Sequence, residues 1–123
     1  MTLSYTLTVP GPLLTTNRER AGSRYVRAAV VAEWRRTAKI MTLVAQIPRL
    51  EVVRVEFFPV QAKGRLADAG AHLPSAKAVL DGVVDAGVLE DDDPRYVNSI
   101  TMHSPTRAKK HDELTIVLYP VTP

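Results

Sequence analysis

Hydrophobic and polar positions alternate at the start of the chain. Leu3, Tyr5, Leu7 and Val9 interleave with Ser4, Thr6 and Thr8, a period of two that predicts a half-buried strand ended by Pro10-Gly11-Pro12. The period then changes. Val26, Val30, Trp34, Thr37, Met41 and Val44 recur every three or four residues and predict a long helix over about 23–46, with Ser23 as N-cap and Pro48 barring continuation. Residues 50–60 are rich in β-branched and aromatic types and predict a strand with Val53, Val55 and Phe57 on one face. A polar loop over about 61–72 leads to a second helix opening at Pro74. Its buried stripe is Ala76, Val79, Leu80, Val83 and Val84, and Gly87 is its left-handed stop. Two strands close the chain, about 96–103 and 113–119, joined by a turn expected to form an exposed hairpin. The order β-α-β-α-β-β predicts one α+β domain: a single mixed sheet with two main helices packed on it.

Composition narrows the chemistry. The chain has 123 residues, enough for one small domain with a real core, and no cysteine, which excludes disulfides, zinc-thiolate sites and cysteine nucleophiles. No signal peptide is evident at the N-terminus and no apolar run approaches the roughly 20 residues that span a bilayer. The expected compartment is therefore the cytoplasm, and no membrane partner is expected. The net charge of +3 is mild but unevenly spread. Arg18, Arg20, Arg24, Arg27, Arg35, Arg36 and Lys39 face only Glu19 and Glu33 in the first helical region, Arg107, Lys109 and Lys110 form a second basic group, and acids concentrate between residues 81 and 93. Basic flanks around an acidic centre suit a polyanion with a metal at the reacting phosphate. Solvated helix faces and a charged turn fit the same distribution.

The chemistry concentrates between residues 64 and 93. Asp68 precedes the second helix, Lys77 lies near its start with Asp81 four residues on, and Glu90-Asp91-Asp92-Asp93 follow its end. Clustered carboxylates hold Mg²⁺ or Mn²⁺, and such ions hydrolyse phosphodiesters. Four adjacent acids repel one another unless they share a cation or are solvated, and only one or two can face a single metal. Lys77 opposes the helix dipole, so it is either solvated or faces carboxylates or a phosphate. His72 is open to three roles, metal ligand, base or helix cap, beside an ordinary structural one. His103 and His111 show no ligand spacing, and there is no phosphate-binding glycine loop or nucleophile elbow.

Asp68 to Asp92 resembles the RusA family of Holliday junction resolvases, homodimeric Mg²⁺-dependent endonucleases of phages and prophages. That family has an Asp-x-Asp-Asn element, a Lys, a helix ending in Ala-Gly and a terminal Asp-Asp. Here Lys77, Asp81, Ala86-Gly87-Val88-Leu89 and Asp91-Asp92 take the corresponding places. The stretch from Leu80 to Val88 is similar to the actinobacterial and mycobacteriophage branch, and Pro12, Thr16-Asn17-Arg18 and Glu33-Trp34-Arg35 extend the likeness over nearly the whole chain. The resemblance implies recombination and repair nuclease activity on branched DNA, in a bacterium or phage-infected host. It implies Asp68 and Asp92 as metal ligands for Mg²⁺ (or Mn²⁺), Asp91 as an adjacent ligand or an acid just behind the ligands, and Lys77 as a lysine that contacts the phosphate or orients a carboxylate. Four-way-junction backbone contacts fall to Asn17, Arg18, Arg20, Arg24, Lys63, Arg65, Lys77, Lys109 and Lys110. One departure stands out: the family's second Asp and its Asn correspond to Gly70 and Ala71. Glu90, Asp93 or His72 could substitute, or the chain could bind junctions without cutting them.

Overall fold

A computed structural model describes residues 3–15, 24–108 and 110–122. Five strands and two helices follow in the order β1 (Tyr5–Pro10), α1 (Arg24–Val44), β2 (Val53–Gln61), α2 (Leu73–Asp85), β3 (Val97–Met102), β4 (Thr106–Arg107) and β5 (Glu113–Pro120). They build one mixed sheet in the order β1-β5-β2-β3, with β4 also on β2, so the expected α+β architecture is present.

The alternation read from the sequence is the burial observed. Leu7 and Val9 of β1, Val53, Val55 and Phe57 of β2, and Leu114, Ile116 and Leu118 of β5 face one buried cluster with Trp34 and Ala38 of α1 and Ala76, Val79, Leu80 and Val83 of α2. Burying that much apolar surface on one sheet face is what holds both helices there. The stripe of α1 is displaced from the expected one. Ala38 and Thr42 are buried, whereas Val26 and Val44 stand exposed, because the helix turns the small Ala38 toward α2. Helix α2 begins at Leu73, one residue before Pro74, and stops where Gly87 takes φ +92 and its N–H reaches the Val84 carbonyl at 2.9 Å.

The exposed hairpin expected between the last two strands does not form. Strand β3 pairs parallel with β2, and β5 pairs antiparallel with β2 on its other edge and with β1 beyond. The intervening segment stays on β2, with Val60 opposite Thr106 and Gln61 opposite Arg107, before the chain crosses to the far side. Strand β2 thereby has its backbone paired along both edges, a better outcome for a buried strand than one edge left open.

Candidate functional site

The acid run is dispersed by its partners. Tyr96 donates its hydroxyl to Glu90 at 2.5 Å, and the Asp92 backbone N–H donates to Asp91 Oδ1 at 2.8 Å. Asp93 takes the guanidinium of Arg95 at 2.8 Å, and Asp92 takes Lys77 Nζ at 2.6 Å. Four adjacent carboxylates therefore face four different donors, which relieves their mutual repulsion. The Lys77 hydrogen bond holds the Asp92 carboxyl below the usual carboxylate range, and Arg95 does the same for Asp93. Lys77 thus faces a carboxylate, one of the two outcomes open in the sequence.

Lys77 also begins a ladder along α2. Asp81 and Asp85 follow at four-residue intervals, and Arg35 of α1 grips Asp85 through two hydrogen bonds of 2.6 and 2.9 Å while its other nitrogen lies 4.0 Å from Asp81. Burial pushes the Asp81 carboxyl up, against the pull of Lys77 and Arg35, and Asp92 adds to the rise. The sequence pairs Asp81 with Lys77 along the helix; its coupling to Asp92 follows from the return of the chain after Gly87.

Asp68 lies exposed in the β2–α2 loop, where the Ala71 N–H bonds its backbone carbonyl at 3.0 Å. Gly70 has φ +85, and a Cβ there would meet nothing within 4 Å, so space does not account for the missing carboxylate. His72 is buried beside the same loop. Its Nδ1 lies 3.0 Å from the Leu14 carbonyl, to which it donates, and its Nε2 is 3.4 Å from Gln61 Oε1. His72 occupies the N-cap position of α2 but makes no side-chain cap there. Its ring joins two loops instead.

Two residues the sequence did not single out organise that region. Gln61 donates to the carbonyls of Lys63 and Arg65 at 2.9 and 2.7 Å and accepts the Ala67 N–H at 3.1 Å. Asp112 accepts the Leu13 N–H at 3.2 Å and the Ala62 N–H at 2.7 Å, tying three loops together. Neither has a motif; each is recognisable only once strand ends from distant parts of the chain converge. Between these loops lies a groove of about 740 Å³ whose lining includes Lys63, Arg65 and Lys110. Three of the expected DNA-contacting residues therefore share one concavity. Arg107 adjoins it, donating to the Gly64 carbonyl at 2.7 Å. Asn17, Arg18, Arg20, Lys109 and the Arg24 side chain lie outside the described residues.

The donor chemistry of Asp91 and Asp92 suits Mg²⁺, a hard cation that takes carboxylate oxygens and often uses only one or two of them beside water and substrate phosphate. Among the described residues, no three Asp, Glu or His side chains are grouped to hold an ion, and Asp68 is not gathered with Asp91 and Asp92. The two side chains supply the type of donor such an ion takes, without a preformed cage among the described residues. No described helix is long and apolar enough to cross a membrane. Comparison with protein-family models and with curated proteins gave no match to this chain.

Proposed function

We propose that the chain is a Mg²⁺-dependent, structure-selective endonuclease of the RusA type that resolves four-way DNA junctions as a homodimer. The observation that carries this reading is the 2.6 Å contact between Lys77 and Asp92, residues fifteen apart that the turn after α2 brings together. A lysine beside a carboxylate pair serves phosphodiester hydrolysis. Asp92, with Asp91 beside it in the chain, would offer hard oxygen donors, and the Lys77 ammonium would neutralise charge that grows on the phosphate oxygens during attack. Bound there with the DNA phosphate, Mg²⁺ would polarise the scissile bond and supply a more acidic water. Asp68, on the loop after β2, is the further carboxylate that the family resemblance assigns to the metal. The backbone would be held by Lys63, Arg65 and Lys110, whose contacts position the DNA without reading its sequence. In a twofold dimer two such sites would match paired incisions across a junction.

A second reading, junction binding without cleavage, is favoured by one specific observation: the loop bearing Asp68 offers glycine and alanine at residues 70 and 71. A labelled synthetic four-way junction, incubated with and without Mg²⁺ or Mn²⁺, separates the two. Symmetric nicks that need the metal and fall by about 100-fold or more in Asp92→Asn are the expected result, a loss typical of removing a group that stabilises transition-state charge. Binding without nicks selects the second reading. An Asp92→Asn protein that cuts like the parent overturns the assignment of the site, and the absence of salt-dependent DNA binding overturns both readings.

A further inference from the structure

The β1–α1 and β2–α2 loops bound an open groove. Its volume of about 740 Å³ lies in the size range of clefts that take small molecules. Its composition is also two-sided. Pro12, Leu13 and Ala67 give it apolar walls, and Lys63, Arg65 and Lys110 give it cations. An apolar hollow with cations around it matches one nucleotide taken out of its stack, with the base inside and the flanking phosphates on the lysines and arginine. Building on the junction-nuclease reading, we infer that this groove receives a single unstacked nucleotide of the branched DNA.

The walls are held in place. Asp112 fixes Leu13 and Ala62 through their N–H groups, the Leu14 N–H donates to the buried Ser75 hydroxyl at 2.8 Å, and His72 holds the Leu14 carbonyl. Such bonds engage two of the polar side chains that line the groove, Asp112 and Gln61. The Asp112 carboxylate accepts two backbone N–H groups, and the Gln61 amide is committed at both ends to its own loop. Shape and contact with the apolar walls are what would hold the base. Drawing a base from an intact duplex costs a few kcal/mol of unstacking, and least where stacking is already interrupted. A crossover point is such a place, so the groove supplies a physical basis for preferring branched over linear DNA.

Fluorescence anisotropy in metal-free buffer at fixed salt tests this with four DNAs: a fully paired junction, the same junction with one unpaired nucleotide at the crossover, its abasic counterpart, and a linear duplex. The unpaired nucleotide is expected to tighten binding about fivefold over the abasic form, through the apolar surface its base buries. In Ala67→Glu, shown to be folded by its thermal transition, that ratio falls to about one. Equal binding of base-bearing and abasic junctions, or a ratio that survives Ala67→Glu, overturns the nucleotide pocket while junction binding itself stands. Failure to bind any junction more tightly than duplex overturns the underlying reading as well.

Discussion

Arg35 and Asp85 meet across the two helices through a forked pair of hydrogen bonds, the geometry in which an arginine and a carboxylate interact best. Both side chains are substantially exposed, 50% and 31%, so solvent screening limits the pair to about 0.5 kcal/mol. The Arg35 hydrogen bond holds the Asp85 carboxyl below its ordinary value of 3.8. A carboxylate with a depressed native pKa contributes stability above its unfolded value and loses it as pH falls through the native one. Asp85→Asn is therefore expected to melt about 2 °C below the parent at neutral pH, with the gap closing as pH is lowered through 3.8 and beyond. Thermal transitions across that range check it; a gap independent of pH would mean the carboxylate charge is not what matters. Arg35 and Asp85 could each be read from the sequence as helix-surface charges, but 50 residues separate them and nothing local pairs them.

Helix pairing rests on a glycine rather than on a charge. A Cβ at Gly82 would lie 2.4 Å from the Arg35 carbonyl oxygen and 2.7 Å from Ala38 Cβ, so α1 and α2 cross at near backbone contact. Alanine favours an exposed helix over glycine by about 1 kcal/mol. Here overpacking outweighs that gain, and Gly82→Ala is expected to lower stability by about 2 kcal/mol, read from the urea midpoint at unchanged slope. A stabilised variant would show that the helices stand farther apart. From the sequence, Leu80-Asp81-Gly82-Val83-Val84 reads as an ordinary helix with a weak point. Only the neighbouring helix turns that weak point into a requirement. The displaced stripe of α1 has the same origin: Ala38 faces α2 because its side chain is small enough to let the helices close.

The molecule as a whole carries a net charge of only +3, so the proposed DNA binding would depend on a local concentration of cations. Lys63, Arg65 and Lys110 lie on the same groove although all of α2, β3 and β4 separate the first from the last along the chain. Replacing all three by alanine is expected to flatten the dependence of log binding constant on log salt by about one for each phosphate that is no longer neutralised. Salt titrations of junction binding check this, and an unchanged slope would place the DNA on another face. On the opposite, helix-free face of the sheet, Arg54, Glu56 and His103 form their own network, with Arg54 3.9 Å above the Tyr119 ring and His103 stacked on Phe58. That face is internally matched in charge and hydrogen bonding, in contrast to the cation-lined groove.

Local periodicity determined the number and kind of main elements, the buried faces of β1, β2, β5 and α2, and the turn at Gly87, because side-chain alternation and backbone propensity act over a few residues. It also marked the acids and Lys77 as the place to look. Tertiary structure alone decided which strands pair, that β2 separates β3 from β5, and that Asp92 returns to Lys77 while its acidic neighbours take other donors. It decided as well that Gln61, His72 and Asp112 brace the groove. Those outcomes depend on contacts between residues far apart in the chain, whose free energy comes from burying the sheet face and satisfying both edges of a central strand.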